Sequence, residues 1–166
     1  MRIWNEWRNT TVGKEIERKF LVDPSRLNKL PEGSSIRQGY IPAHGATVRV
    51  RIMGEDAYIT LKGRSEGITR SEFEYPIPVD DAKAILEELC TPPIIEKTRY
   101  KINFENHIWE LDIFEGENSG LVMAEVELAS EDETVKLPPW VTREVSGDKR
   151  YYNANLRVNP YMLWEK

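Results

Sequence analysis

Glu15, Glu17 and Lys19 occupy alternate positions in the stretch KEIERKF at residues 14–20, with Ile16 between the two carboxylates and Phe20 at its end. Successive side chains of an extended chain point to opposite faces, so two carboxylates and an ammonium share one face here. The alternation returns in six later segments. Arg49 and Arg51 oppose Val48, Val50 and Ile52; Tyr58, Thr60 and Lys62 oppose Ile59 and Leu61; Glu72 and Glu74 oppose Phe73 and Tyr75. Lys97, Arg99 and Lys101 oppose Thr98, Tyr100 and Ile102; Glu110 and Asp112 oppose Trp109, Leu111 and Ile113; Glu125 and Glu127 oppose Ala124, Val126 and Leu128.

A single strand of this kind normally turns its apolar face to the core and its charges to water. Two features of the set argue for a different arrangement. Glu, Lys and Asp are poor strand residues. The charges also come as like-signed neighbours, which destabilise a sheet unless a partner strand or a ligand compensates them. The second arrangement is a closed barrel with its charged faces inward. An eight-stranded barrel has room for side chains or one small ligand. Arg and Lys confined there would bind a polyanion, and Arg forks match phosphate oxygens. Carboxylates without His or Cys suit a hard cation such as Mg²⁺ or Mn²⁺. Together the two sets describe a metal-bridged phosphate chain, the pairing that phosphoryl transfer uses. No Walker-type glycine-rich loop is present, which excludes a P-loop enzyme.

The elements that would position these residues read as strands at 14–22, 34–42, 46–53, 57–63, 71–78, 95–105, 107–115 and 122–129. Turn residues separate them at Gly45, Gly54/Glu55, Gly63 to Gly67, Asn106/His107 and Asn118 to Gly120. Short connections suggest a meander that packs as a sandwich or closes as a barrel. A helix is expected over 80–90, with Asp80 as N-cap, Ala82, Ile85, Leu86 and Leu89 on one face, and Pro92/Pro93 ending it. A short helix after Asp23 and a helical turn or two over 148–157 complete the list. The helices at 80–90 and 148–157 are expected to cover the outward apolar faces.

The chain has 166 residues, which suits one domain over 14–166 preceded by an N-terminal arm over 1–13. A net charge of −5 argues against nucleic-acid binding through bulk positive charge. No apolar run nears the ~20 residues of a membrane span, and no signal-peptide core is seen. A single cysteine, Cys90, fits a reducing compartment, so the expected location is the cytoplasm, with no membrane partner. With only His44 and His107 besides Cys90, no zinc site is expected.

Eight ordered motifs carry a resemblance to a known family. They are EIERKF at 15–20, IRQGY at 36–40, VRVR at 48–51, TLK at 60–62, EKTRY at 96–100, WELDIF at 109–114, AEVEL at 124–128 and DKRY at 148–151. The sequence resembles the CYTH superfamily, the triphosphate tunnel metalloenzymes, and most of all its small bacterial inorganic triphosphatases. The resemblance implies an α+β, mainly β fold: an eight-stranded antiparallel closed barrel, a tunnel with a polar lumen and a few flanking helices. It implies Mg²⁺ or Mn²⁺ on Glu15, Glu17 and Glu127, with Asp112 as a further candidate ligand. It implies triphosphate held by Lys19, Arg49, Arg51, Lys62, Lys97 and Arg99. Glu17, Lys62, Tyr40 and Glu125 are the implied catalytic candidates, and Glu72, Glu74 and Glu110 further tunnel acids. Tyr40 has an equal alternative as a barrel-end packing residue. Other branches of the family leave open a class IV-type adenylate cyclase or a non-catalytic triphosphate or polyphosphate binder. A homodimer is also left open.

Overall fold

The computed structural model describes residues 13–165. The expected N-terminal arm, apart from Gly13, lies outside the described residues. The elements run β1 (Lys14–Val22), β2 (Ser34–Ile41), β3 (Thr47–Met53), β4 (Asp56–Glu66), β5 (Thr69–Pro76), α1 (Val79–Glu88), β6 (Ile95–Phe104), β7 (His107–Phe114), β8 (Val122–Glu127), β9 (Val141–Glu144) and α2 (Asn153–Val158). Short 3-10 turns at Pro24–Arg26 and Lys149–Tyr151 are capped by the carboxylates of Asp23 and Asp148.

The strands form one antiparallel sheet in the order β5-β4-β3-β2-β6-β7-β8-β1-β9, and β5 also pairs with β1. That pairing closes eight strands into a barrel and leaves β9 outside the ring. The order is not the expected simple meander. β2 to β5 and β6 to β8 are each up-and-down, but β6 lies beside β2, and β1 bridges β8 and β5. The reason is α1. Its buried Ala82 and Leu86 pack with Val50 and Ala57 over the outer side of β3 and β4. Covering those strands carries the chain from β5 back across to the free edge of β2.

Pro78, not Asp80, precedes the first turn of α1, and no side chain caps it; Asp80 lies inside the first turn, where its charge favours the helix dipole. Leu89 follows the last helical residue and is exposed, so it leaves the expected apolar face.

Three apolar clusters shape the barrel. Phe20, Trp109, Leu111, Ala124 and Val126 point outward from β1, β7 and β8 and are covered by Val135 and Trp140. The α1 cluster is the second. The third lies inside the barrel at one end. Tyr40, Ile95, Phe114 and Met123 share the face of the charged lumen residues by alternation, and Val145, Tyr151 and Leu156 pack against them. The 148–157 segment therefore stoppers the barrel instead of covering its outer wall, because the inner face turns apolar at that end.

β9 is a strand that the sequence pattern did not signal; it is four residues long and follows two prolines. It anchors Arg18, which lies on the outer face of β1 with Ile16 and Phe20. The Arg18 guanidinium donates to both Glu144 oxygens at 2.9 and 2.6 Å. Among the described residues no helix is long and apolar enough to cross a membrane.

The outward side of β2 at Gly39 lies so close to the chain after α1 that a Cβ would sit 2.8 Å from Cys90 Cβ and 2.9 Å from Ile94 Cδ1. Gly39→Ala is therefore expected to destabilise the fold by about 1–3 kcal/mol, the usual range for overpacking. Urea titration checks this, and an unchanged midpoint would contradict the close approach.

Candidate functional site

The barrel encloses a cavity of about 1160 Å³. β1 supplies Glu15, Glu17 and Lys19 to its wall, β2 Tyr40, β3 Arg49 and Arg51, and β4 Lys62. β5 supplies Glu72 and Glu74, β6 Lys97 and Arg99, β7 Glu110, and β8 Glu125 and Glu127. Every site residue expected from sequence lines this one cavity except Asp112, which is buried behind the wall under Arg99 and Lys97.

Register explains how like-signed pairs are tolerated. Lys19 lies opposite Glu125, Lys62 opposite Glu72, and Arg99 opposite Asp112, so each acidic strand faces a basic neighbour. Asp112 accepts from Lys97 Nζ at 2.6 Å and from Arg99 Nε and Nη2 at 2.7 and 2.8 Å. Arg99 also bonds Glu110. Glu125 accepts from Lys19 at 2.5 Å and from Arg99 at 3.4 Å. Glu74 accepts from Thr60 at 2.6 Å and pairs with Arg49 at 3.1 Å and Arg51 at 3.3 Å. Lys62 stands between Glu72 at 2.9 Å on the paired strand and Glu15 at 3.1 Å, the second contact existing only because β1 closes onto β5.

These contacts divide the acids into two classes. Against the upward push of burial, Lys19 and Arg99 hold the Glu125 carboxyl well below its ordinary range. Arg99 and Lys97 do the same for Asp112, Lys62 for Glu72, and Arg51 with Arg49 for Glu74. Three others go the opposite way. Burial raises Glu15, and Lys62 offsets only part of it. Burial and then the charge of Glu15 raise Glu17. Burial, then Glu15 and Glu110, push Glu127 up to about 7. Glu17 and Glu127 lie directly opposite each other on β1 and β8. Repulsion between carboxylates is thus concentrated on Glu15, Glu17 and Glu127, although Lys19 also pairs with Glu17 at 2.7 Å.

Among the described residues no three acidic, His or Cys side chains already stand grouped as a metal cage. The donor chemistry nonetheless fits a hard divalent cation: three oxygen ligands on adjoining strands, each strained by its neighbours' charge.

The family profile for the CYTH domain matches residues 13–152. The chain belongs to the CYTH family. Over 151 residues it is 52% identical to an inorganic triphosphatase of Acetivibrio thermocellus, covering 90% of this chain and 97% of that protein. It is 37% identical over 153 residues to an inorganic triphosphatase of Nitrosomonas europaea, covering 87% of this chain and 97% of that one. A crystal structure of an inorganic triphosphatase superimposes with a TM-score of 0.64 at 34% identity, covering 90% of this chain and 97% of that one.

In this CYTH protein Tyr152 and Asn153 also line the cavity, and sequence reasoning passed over both. Thr60 holds Glu74, as above. Asn153, the first residue of α2, accepts from Lys97 Nζ at 3.0 Å. Lys149 and Tyr152 from the stopper segment reach the same cavity. Thr60 shared the lumen face in the pattern, but Asn153 carried no local signal. His107 is mostly buried and bonds Glu133 at 2.7 Å beside the cavity.

Asp112→Asn leaves Lys97 and Arg99 buried without their main counter-charge. Removing one partner of a buried pair costs about 3–5 kcal/mol. Urea unfolding near neutral pH is expected to show that loss, and a change near zero would contradict Asp112 as the anchor of the basic residues.

Proposed function

We propose that this CYTH protein hydrolyses the terminal phosphoanhydride of inorganic triphosphate in its lumen, with Mg²⁺ or Mn²⁺ bound. One observation carries the reading: six cationic side chains, Lys19, Arg49, Arg51, Lys62, Lys97 and Arg99, converge on one cavity with three acids, Glu15, Glu17 and Glu127, whose carboxyls are held above their ordinary range. The share of identity with inorganic triphosphatases supports it.

The cations are already held in place by Glu72, Glu74, Glu110, Asp112 and Glu125, so little reorganisation accompanies substrate entry. Arg49, Arg51 and Arg99 present forked donors to phosphate oxygens, and Lys19, Lys62 and Lys97 add point charges. Glu15, Glu17 and Glu127 would hold the cation. Bound there, it supplies Lewis-acid polarisation of the terminal phosphoryl and relieves the carboxylate repulsion. Asp112, with both oxygens committed to Arg99 and Lys97, positions those two residues. Glu125, kept ionised, is an acceptor that orients the attacking water. Lys62 and the Tyr40 hydroxyl serve the phosphate oxygens that become the leaving pyrophosphate. We place the protein in the cytoplasm, where the buried free thiol of Cys90 stays reduced.

Phosphate release is to be compared for triphosphate, ATP, thiamine triphosphate and long-chain polyphosphate, each with magnesium and manganese. Triphosphate is expected to turn over fastest; cyclic AMP appearing from ATP as the main product would overturn the reading. Glu17→Ala is expected to lower kcat for triphosphate by about 10²–10³, the scale for one preorganised electrostatic partner. Full activity in that variant would remove Glu17 from the site.

Metal binding carries its own pH dependence. Below about 7 Glu127 is protonated and cannot ligate, so protons compete with the metal. Calorimetric magnesium affinity without substrate is expected to rise between about pH 6 and about pH 8. Affinity that stays flat over that range would count against Glu127 as a ligand.

A further inference from the structure

On β2, Gln38 and Tyr40 share the lumen face, with Gly39 between them packed outward against Cys90. Gln38 is completely buried and lies opposite Arg51 on β3 and Ile95 on β6. Its Nε2 donates to the Tyr40 hydroxyl oxygen at 2.8 Å. Its Oε1 is buried with no hydrogen-bond partner among the described residues. The Tyr40 side chain packs with the apolar stopper, and Tyr40 lines the cavity.

The direction of the Tyr40 proton follows from counting donors. A phenol has one O–H and acceptor lone pairs, whereas a carboxamide nitrogen has only protons to offer. The contact with Nε2 therefore occupies an acceptor site on Tyr40, and the phenolic O–H must point elsewhere. The charged groups that act on Tyr40 most strongly are Arg49, Lys62 and Lys19, all of them donors that cannot receive that proton. An acceptor that enters the lumen can. Gln38 is the direct cross-strand partner of Arg51, and a carbonyl oxygen suits a neighbouring guanidinium better than an amide nitrogen does, which favours this amide orientation.

We propose that Gln38 is a positioning residue for triphosphate hydrolysis, fixing the Tyr40 hydroxyl as a hydrogen-bond donor aimed into the lumen at a phosphate oxygen. This rests on the triphosphatase reading and adds a residue to it. Gln38 never touches substrate; it acts through Tyr40.

The test is a double-mutant cycle. Gln38→Met keeps side-chain length and removes the amide donor, and Tyr40→Phe removes the hydroxyl. Two quantities are measured: kcat/KM for triphosphate with magnesium, and triphosphate affinity by calorimetry without divalent metal. Each single variant is expected to lose roughly tenfold in kcat/KM, the scale of one hydrogen bond to a charged group. The double variant is expected to be no worse than Tyr40→Phe alone, and the metal-free affinity is expected to show the same non-additive pattern. A merely structural Gln38 predicts losses that add, so additive losses overturn the proposal. Wild-type kcat/KM in Tyr40→Phe also overturns it, since no hydroxyl would then need positioning. If the wild-type protein releases no phosphate from triphosphate with either metal, the functional reading falls separately. The metal-free affinity cycle then decides Gln38 alone, coupled losses supporting it and additive ones overturning it. Thermal midpoints verify folding, and Gln38→Leu replaces Gln38→Met if that variant does not fold.

Discussion

Compensation of like-signed charges between neighbouring strands is the constraint on which this barrel depends. Burying a charge costs several kcal/mol unless a partner of good geometry offsets it. Lys97, Arg99 and Asp112 are almost wholly buried, and they satisfy one another across the β6–β7 pair. Lys19 is offset by Glu125 across β1–β8. Lys62 pairs with Glu72 across β4–β5, and closure adds Glu15, which reaches it only where β1 meets β5. An open sheet of the same strands would leave Glu15 and Lys62 apart. Closure therefore completes a compensation that the neighbouring strands begin.

The compensation is uneven, and the unevenness divides labour within the lumen. Where a carboxylate has strong cationic neighbours, as at Glu125 and Asp112, it is held ionised and serves as a rigid brace for those cations. Where it faces other carboxylates, as at Glu17 and Glu127, burial and repulsion oppose ionisation and leave demand for a cation. The apolar stopper of Phe114, Met123, Val145, Tyr151 and Leu156 bounds the charged region at one end. It excludes water from that end and strengthens each interaction beside it.

Much of this was legible in the order of residues. The eight barrel strands lie within two residues of the period-two segments at nearly every end, because alternation is a local signal that closure does not alter. The charged lumen set was legible because its like-signed runs make poor solvent faces. Arg18 was recognisable as the exception on the outer face. Less local features were not legible. β9 is too short and too near prolines to show a period. Asn153 reaches Lys97 from a helix more than fifty residues away. Gln38 looked like an ordinary strand residue, since its meaning depends on which atom of Tyr40 it meets.

By itself, the sequence determined which residues could share a face, and so which charges would travel together, since side-chain alternation follows from strand geometry alone. It also determined family membership, through motifs in register. Tertiary structure decided which acids cations hold low and which are raised by one another's charge, because that depends on cross-strand neighbours set by the pairings of β1 with β5 and β8. It took Asp112 out of the cavity wall and turned the 148–157 segment from a cover into a stopper. Each of those outcomes rests on contacts between residues far apart in the chain, and no local pattern encodes the distance at which two such side chains will meet.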